Sequence, residues 1–215
     1  MNDAISNFYK KYPEQAASYE KEHGDRLDYI VNTFGLGDIY GECLADFGGG
    51  HGFLFKRLRA QNVMTIFDGA QIQSGSELLC ACEYMSVDLN AEFDYTEPIF
   101  DRSFCFEVLE HLENPYRCVC QMKKLTKENG LIYVSVPDFS VTHNTPYPGL
   151  IYPHTSFQAF LGQMALPILR YAYYDRPHCA HLWECRNAPW EESVMLFYKD
   201  EAKFRGLTPV EATNI

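Results

Sequence analysis

Apolar and polar positions change rhythm along the 215-residue chain. Residues 1–38 are mainly polar, with Phe8, Tyr12, Tyr19, Leu27, Ile30 and Val31 as the apolar positions of one or two amphipathic helices, an N-terminal helical cap. From residue 40, short apolar runs alternate with helical stretches, the pattern of βαβ units and a mostly parallel sheet. CLADF at 43–47 reads as a first strand, 53–60 as a helix, and 63–67 as a second strand closed by Asp68. A short helix within 69–81 leads to a third strand at 83–87, ended by Asp88, and 103–106 forms a fourth. EVLEHL is helix-prone, and 115–125 continues as a helix with Tyr116, Val119 and Met122 on one face. After the turn signal Asn129-Gly130, LIYVSVP reads as a fifth strand stopped by Pro137. Further on, 155–165 predicts a helix, while 169–174 and 193–199 predict strands.

The chemistry concentrates where the first strand meets its helix, in CLADFGGGHGFLF. Glycine is needed there because the chain must turn sharply while its backbone lies against a ligand, and a Cβ would obstruct both. The spacing then separates ligand classes. A dinucleotide fingerprint G-x-G-x-x-G fails, since counting from Gly48 ends on Phe53 and counting from Gly50 ends on Phe55. A P-loop fails too, because Phe53 and Leu54 stand where Lys and Ser or Thr are required.

Asp46-Phe-Gly48-Gly-Gly50-His-Gly52 resembles the D-x-G-x-G-x-G motif of class I S-adenosylmethionine-dependent methyltransferases. FDRSFCFEVLEHLENP resembles the fourth-strand motif of the small-molecule, ubiquinone-biosynthesis type, and LTKENGLIYVSVP the fifth-strand motif, with Glu128-Asn129-Gly130 where Pro-Gly-Gly is usual. The resemblance implies an α/β fold: a Rossmann-like, seven-stranded, mostly parallel sheet with helices on both faces and the last strand antiparallel. It also implies S-adenosylmethionine as cofactor and S-adenosylhomocysteine as product, bound by Asp46, Gly48, Gly50, Gly52 and Glu107. Asp68 falls at the ribose-binding acid, Asp88 at the partner of the adenine amino group, and Leu89 beside the base. The cofactor carries a sulfonium and an ammonium, so a carboxylate near the loop attracts it.

The chain fits one domain over 1–215, with a cofactor-binding core at 40–137 and a substrate-cover region at 138–192, whose loop at 138–154 is longer than most connections. Composition narrows the acceptor. A net charge of −11 would repel a phosphate backbone, and no Lys/Arg stripe offsets it, so nucleic acid is not the expected partner. A small-molecule or sugar-containing acceptor, methylated at oxygen, is the leading expectation. Its rivals are a non-catalytic module binding the same cofactor, a methyltransferase acting on RNA or protein, and a nicotinamide-dependent oxidoreductase weakened by Phe53. Methyl transfer from a sulfonium demands mainly alignment, and an oxygen acceptor gains from a base. His111, His143 and His154 follow the fourth and fifth strands and are the candidates, while Tyr19 could close over the site and Trp183 or Trp190 could stack on a sugar.

His178, Cys179, His181 and Cys185 lack a paired-cysteine spacing, so no metal is expected. The eight cysteines are scattered through apolar segments and read as reduced thiols. No run approaches the roughly 18 apolar residues of a membrane span, and the start has no export signal, which makes the cytoplasm the expected location. The oligomeric state leaves no mark in the sequence.

Overall fold

The computed structural model describes residues 12–69, 80–95, 97–138, 154–176 and 179–190. In chain order these form α1 (Tyr12–Phe34), β1 (Cys43–Phe47), β2 (Val63–Asp68), β3 (Glu83–Ser86), β4 (Phe100–Phe106), α2 (Pro115–Leu125), β5 (Thr126–Pro137), α3 (His154–Gln163), β6 (Ile168–Tyr174) and β7 (Ala180–Arg186). Short 3-10 turns lie at Leu36–Asp38, Phe55–Arg57 and Leu109–His111.

The described strands make one seven-stranded sheet in the order β3-β2-β1-β4-β5-β7-β6. β1 to β5 pair in parallel, and β7 runs against both β5 and β6. The family expectation of one reversed strand is met, but by Ala180–Arg186, a segment the sequence pattern left without an element. The expected strand at 193–199 lies outside the described residues, as does most of the expected short helix at 69–81.

Alternation along the strands gives the sheet two apolar faces. One carries Leu44, Ile66, Phe104, Tyr133 and Leu182, and α1 covers it with Leu27, Ile30 and Phe34. The other carries Ala45, Cys105, Ile132, Val134 and Trp183, covered by Val119 and Met122 of α2 and by Phe157 and Leu161 of α3. Arg57 anchors α1 through Glu20 at 2.6 Å and Asp28 at 2.6 Å. α2 begins where its sequence says it should: Pro115 opens it, and Asn114 Oδ1 accepts from the Arg117 amide at 3.1 Å.

Two expected elements are corrected. The helix at 53–60 is replaced by turns and the 3-10 segment Phe55–Arg57. Phe53, Leu54, Phe55 and Leu58 are all buried, and three consecutive apolar residues would wrap too far round a helix to share its inner face. Asn129-Gly130 is not a turn ahead of β5 but a bulge inside it. Phe100 pairs with Thr126 and Arg102 with Leu131, so four residues of β5 oppose one of β4. A Cβ on Gly130 would meet the Asp101 carbonyl oxygen at 2.8 Å, which reserves the position for glycine.

Candidate functional site

β1 stops at Phe47 and its backbone swings over the carboxyl end of the sheet, the end at which open α/β folds bind ligands. Gly48 N donates to the Phe67 carbonyl at 2.7 Å, Gly50 N to Asp68 Oδ2 at 2.8 Å, and Gly52 N to the Gly49 carbonyl at 3.0 Å. Gly48 has φ +84°, and a Cβ there would come 2.3 Å from Val108 Cγ2. A Cβ on Gly49 would lie 2.6 Å from Asp46 Oδ2. The loop is thus bare backbone packed so closely against Val108 and Asp46 that no Cβ fits at Gly48 or Gly49. Gly49, which the spacing argument passed over, is as constrained as its neighbours.

Two carboxylates sit under this loop. Asp46 is 4% exposed and Asp68 is 2% exposed. Burial pushes the Asp46 carboxyl up to about 8, with further rises from the charges of Asp68 and Cys82. The ground beneath the loop resists negative charge, and a cation arriving there would relieve it. Asp88 lies just beyond β3 and is exposed; its Oδ1 accepts from the Asn90 amide at 2.9 Å, closing a turn. Leu89 is buried in the core cluster that contains Phe47 and Phe67.

At the tip of β4, Glu107 has φ +56°, a left-handed conformation that costs a non-glycine residue on the order of 1 kcal/mol. Ser135 of β5 holds it from both sides. Its hydroxyl donates to Glu107 Oε1 at 2.7 Å and accepts from the Glu107 amide at 3.0 Å. Arg26 reaches in from α1 and donates to Glu107 Oε2 at 3.1 Å, the two side chains being 5% and 6% exposed. Sequence reasoning missed Arg26, because its partner lies 81 residues away. Glu110 is fully buried, and burial followed by the Glu107 charge raises its carboxyl well above the usual range. His111 is on the 3-10 turn beside it, half-exposed, with Nε2 3.8 Å from Glu110 Oε1.

A second polar group occupies the same end of the sheet, over β5, β7 and β6. Tyr171 Oη is 2.7 Å from His181 Nδ1, His181 Nε2 is 3.3 Å from Asp138 Oδ2, and Tyr173 Oη donates to that same oxygen at 2.8 Å. Asp138 follows β5 directly, three residues beyond Ser135, or about 10 Å of extended chain. The sequence reading met His181 only as a poor metal ligand. Cys185 is buried and Cys179 Sγ turns to the Arg176 carbonyl, and among the described residues no group of three potential ligands could hold a metal ion.

Of the expected bases, His143 lies outside the described residues, as does the side chain of His154, which opens α3; the side chain of Tyr19 and the whole of His178 lie outside them too. Trp183 is fully buried against Phe157, with ring centroids 4.9 Å apart, so it belongs to the core and not to a sugar platform. Trp190 is 46% exposed and carries the Lys123 ammonium over its ring at 4.8 Å. Among the described residues no helix is long and apolar enough to cross a membrane.

A family model described as "Methyltransferase domain" matches residues 12–186. A ubiquinone biosynthesis O-methyltransferase from Photobacterium profundum is 26% identical over 121 residues, 51% of this chain and 49% of that protein. One from Glaesserella parasuis is 26% identical over 156 residues, 63% of this chain and 65% of that protein. The chain therefore spans between about half and two-thirds of the length of these relatives. Among solved structures, magnesium protoporphyrin IX methyltransferase from Synechocystis with bound SAH has the same fold, with a TM-score of 0.60 at 17% identity, covering 77% of this chain and 83% of that one. The sheet order, the bare loop after β1 and the match across residues 12–186 agree, and the chain belongs to the methyltransferase-domain family, of the class I S-adenosylmethionine-dependent type.

Proposed function

We propose that this chain binds S-adenosylmethionine under the glycine loop and catalyses transfer of its methyl group to an oxygen of a small hydroxylated acceptor. The observation that carries the reading is the pair of buried carboxylates, Asp46 and Asp68, with Asp46 driven up to about 8 in a floor made of bare backbone. A dinucleotide's phosphates would be repelled there, and a sulfonium with an ammonium would be drawn in. The fit is one of charge and of shape.

When bound, the cofactor supplies a methyl group already activated on a sulfonium. Asp46 offers the negative charge, Gly48 to Gly52 the close backbone approach, and Asp68 an acceptor for ribose hydroxyls. Asp88 and Leu89 stand at the third strand's exit for the adenine. Arg26, paired with Glu107, would bring a buried positive charge to the cofactor's own carboxylate, and Glu107, fixed by Ser135 at the tip of β4, would help to hold the cofactor. The protein's remaining task is to align the acceptor and remove its proton.

His181 is the described histidine best held for that proton. Asp138 on Nε2 orients the ring, as a carboxylate does for a catalytic histidine, and Nδ1 is the atom that would accept once the Tyr171 hydroxyl yields its place. His111, on the 3-10 turn, stands instead beside Glu110, whose carboxyl burial raises well above the usual range. The acidic chain and the O-methyltransferase relatives support a small acceptor methylated at oxygen. Isothermal titration with S-adenosylmethionine and S-adenosylhomocysteine, beside a methyl-transfer assay on a panel of phenols and sugar alcohols, tests the reading. Micromolar binding of both with turnover of a hydroxylated acceptor is expected; no binding of either nucleoside refutes it, and binding without any turnover leaves a cofactor-binding module instead of an enzyme.

A further inference from the structure

Two sulfur atoms lie against the glycine loop and have no part in methyl transfer. Cys80 Sγ and Cys82 Sγ are 3.5 Å apart on the bend that enters β3, and both residues are half-buried. A Cβ on Gly52 would come 2.9 Å from Cys80 Sγ, so this sulfur packs on the last glycine of the loop. The charge of Cys82 also reaches Asp46 and raises its carboxyl. Cys105, Cys118 and Cys185, by contrast, are buried in the core.

The two thiols are unequal. The hydrogen bond from Cys80 lowers the Cys82 thiol, while the same bond and burial raise Cys80. Cys82 is thus the better nucleophile and Cys80 the waiting partner. The chain bends at Cys80 and Ala81, so the pair is not held at the full spacing of an extended strand, and the two sulfurs already lie 3.5 Å apart.

We infer that Cys80 and Cys82 form an oxidation site that closes to a disulfide under peroxide and thereby loosens the glycine loop. In the first step the Cys82 thiolate attacks a peroxide oxygen; the O–O bond breaks, a sulfenic acid forms, and hydroxide leaves to be protonated to water. In the second, Cys80 sulfur attacks Cys82 sulfur; the S–S bond forms, the S–O bond breaks, and the departing hydroxide takes the Cys80 proton as a second water. Two thiols have then given two electrons to one peroxide. Bonding draws the sulfurs about 1.5 Å closer, and the share of that movement made by Cys80 withdraws its sulfur from Gly52. The loop loses the contact beneath its last glycine, and its hold on the cofactor weakens.

The effect on the cofactor rests on the function proposed above; the disulfide and the loop response do not. The full chain, reduced and then treated with hydrogen peroxide, is digested with trypsin, whose peptide 60–102 holds Cys80 and Cys82 and no other cysteine. That peptide is expected to lose the mass of two hydrogen atoms, amide exchange across residues 48–57 to quicken about tenfold, and S-adenosylhomocysteine to bind about five- to tenfold more weakly. Cys82→Ser, or Cys80→Ala should the first fail to fold, abolishes all three responses. An unchanged mass for peptide 60–102 while other cysteines oxidise overturns the inference, as does a closed disulfide with unaltered exchange or affinity. If the reduced protein binds no S-adenosylhomocysteine at all, the proposed function falls, while mass and exchange still decide the oxidation site.

Discussion

Asp46 should make the folded protein less stable as the solution becomes more alkaline, and Asn at this position should remove the effect. The carboxyl moves from an ordinary 3.8 to about 8 on folding, chiefly through burial. Between those values the folded chain keeps a proton that the unfolded chain has released. Stability is therefore full below about pH 4, falls as pH rises towards 8, and stays level above it. Each unit is worth about 1.4 kcal/mol, so raising pH from about 5 to about 8 should widen the gap between Asp46→Asn and the parent by about 4 kcal/mol in favour of the variant. Urea unfolding at fixed temperature, with m-values checked for equality, measures the gap. The same carboxyl must be ionised to receive a cation, so binding of S-adenosylmethionine near pH 7 should release close to one proton, read as the buffer dependence of the titration enthalpy. Asp46→Asn, though more stable, should bind the cofactor at least tenfold more weakly. A stability gap that is flat with pH, together with proton-neutral binding, would defeat the charge argument for this site.

Gly50→Val and Asp68→Ala should each raise the cofactor dissociation constant by about tenfold or more, the first by filling the loop and the second by removing the acceptor of the Gly50 amide; normal titration isotherms in both would contradict the assignment. Arg26→Met strands Glu107 as a buried acid and should cost about 3 kcal/mol in chemical denaturation, with a double variant that also carries Glu107→Gln recovering most of it; failure to recover would mean the pair is not the unit. His181→Gln should lower kcat by about a hundredfold or more and erase the acid limb of its pH profile, while leaving the S-adenosylhomocysteine dissociation constant unchanged; an equal loss in affinity would mark a structural role. Lys123 donates from a buried position to the Ala165 and Ala188 carbonyls and to Asn187 Oδ1, so Lys123→Met should cost about 3 kcal/mol, near 10 °C in Tm by calorimetry.

The parts legible in the sequence were those with local causes. β1 appears with its bounds at Cys43–Phe47, and α2 at Pro115–Leu125, because an apolar run, a proline and a capping asparagine are each written within a few residues. The glycines stood out by their spacing, and Asp46 and Asp68 by the resemblance to the family motif at the ends of their strands. What escaped depends on partners distant in the chain. β7 looks too charged for an inner strand until Arg170 is seen neutralising the buried Glu184. Arg26 gains meaning only from Glu107, and His181 only from Tyr171 and Asp138. The failed helix at 53–60 shows burial overriding propensity, since Phe53, Leu54 and Phe55 all had to face inward.

The two ends of the sheet differ in how their charges are matched, and the difference indicates where a ligand is wanted. At the amino end, Glu42 is met by Arg102 at 2.6 Å and Asp101 by Lys127 at 2.6 Å, while Asp101 also accepts from the Cys43 amide at 2.9 Å. Asp101 is held below its ordinary range, with Lys127 and Cys43 lowering it against the effect of partial burial. In the shallow cleft that they line, Glu42, Arg102, Asp101 and Lys127 are therefore already paired. At the carboxyl end the signs are reversed: Asp46 and Glu110 are both raised by burial and by neighbouring acids, and Glu107 sits in a backbone conformation it would not choose. Raised acids and a left-handed glutamate gather at this end, and a fold tolerates such clustering where an incoming group will compensate it. For Asp46, compensation means a positive charge delivered close to bare backbone, which a sulfonium nucleoside brings and a phosphate-bearing one does not.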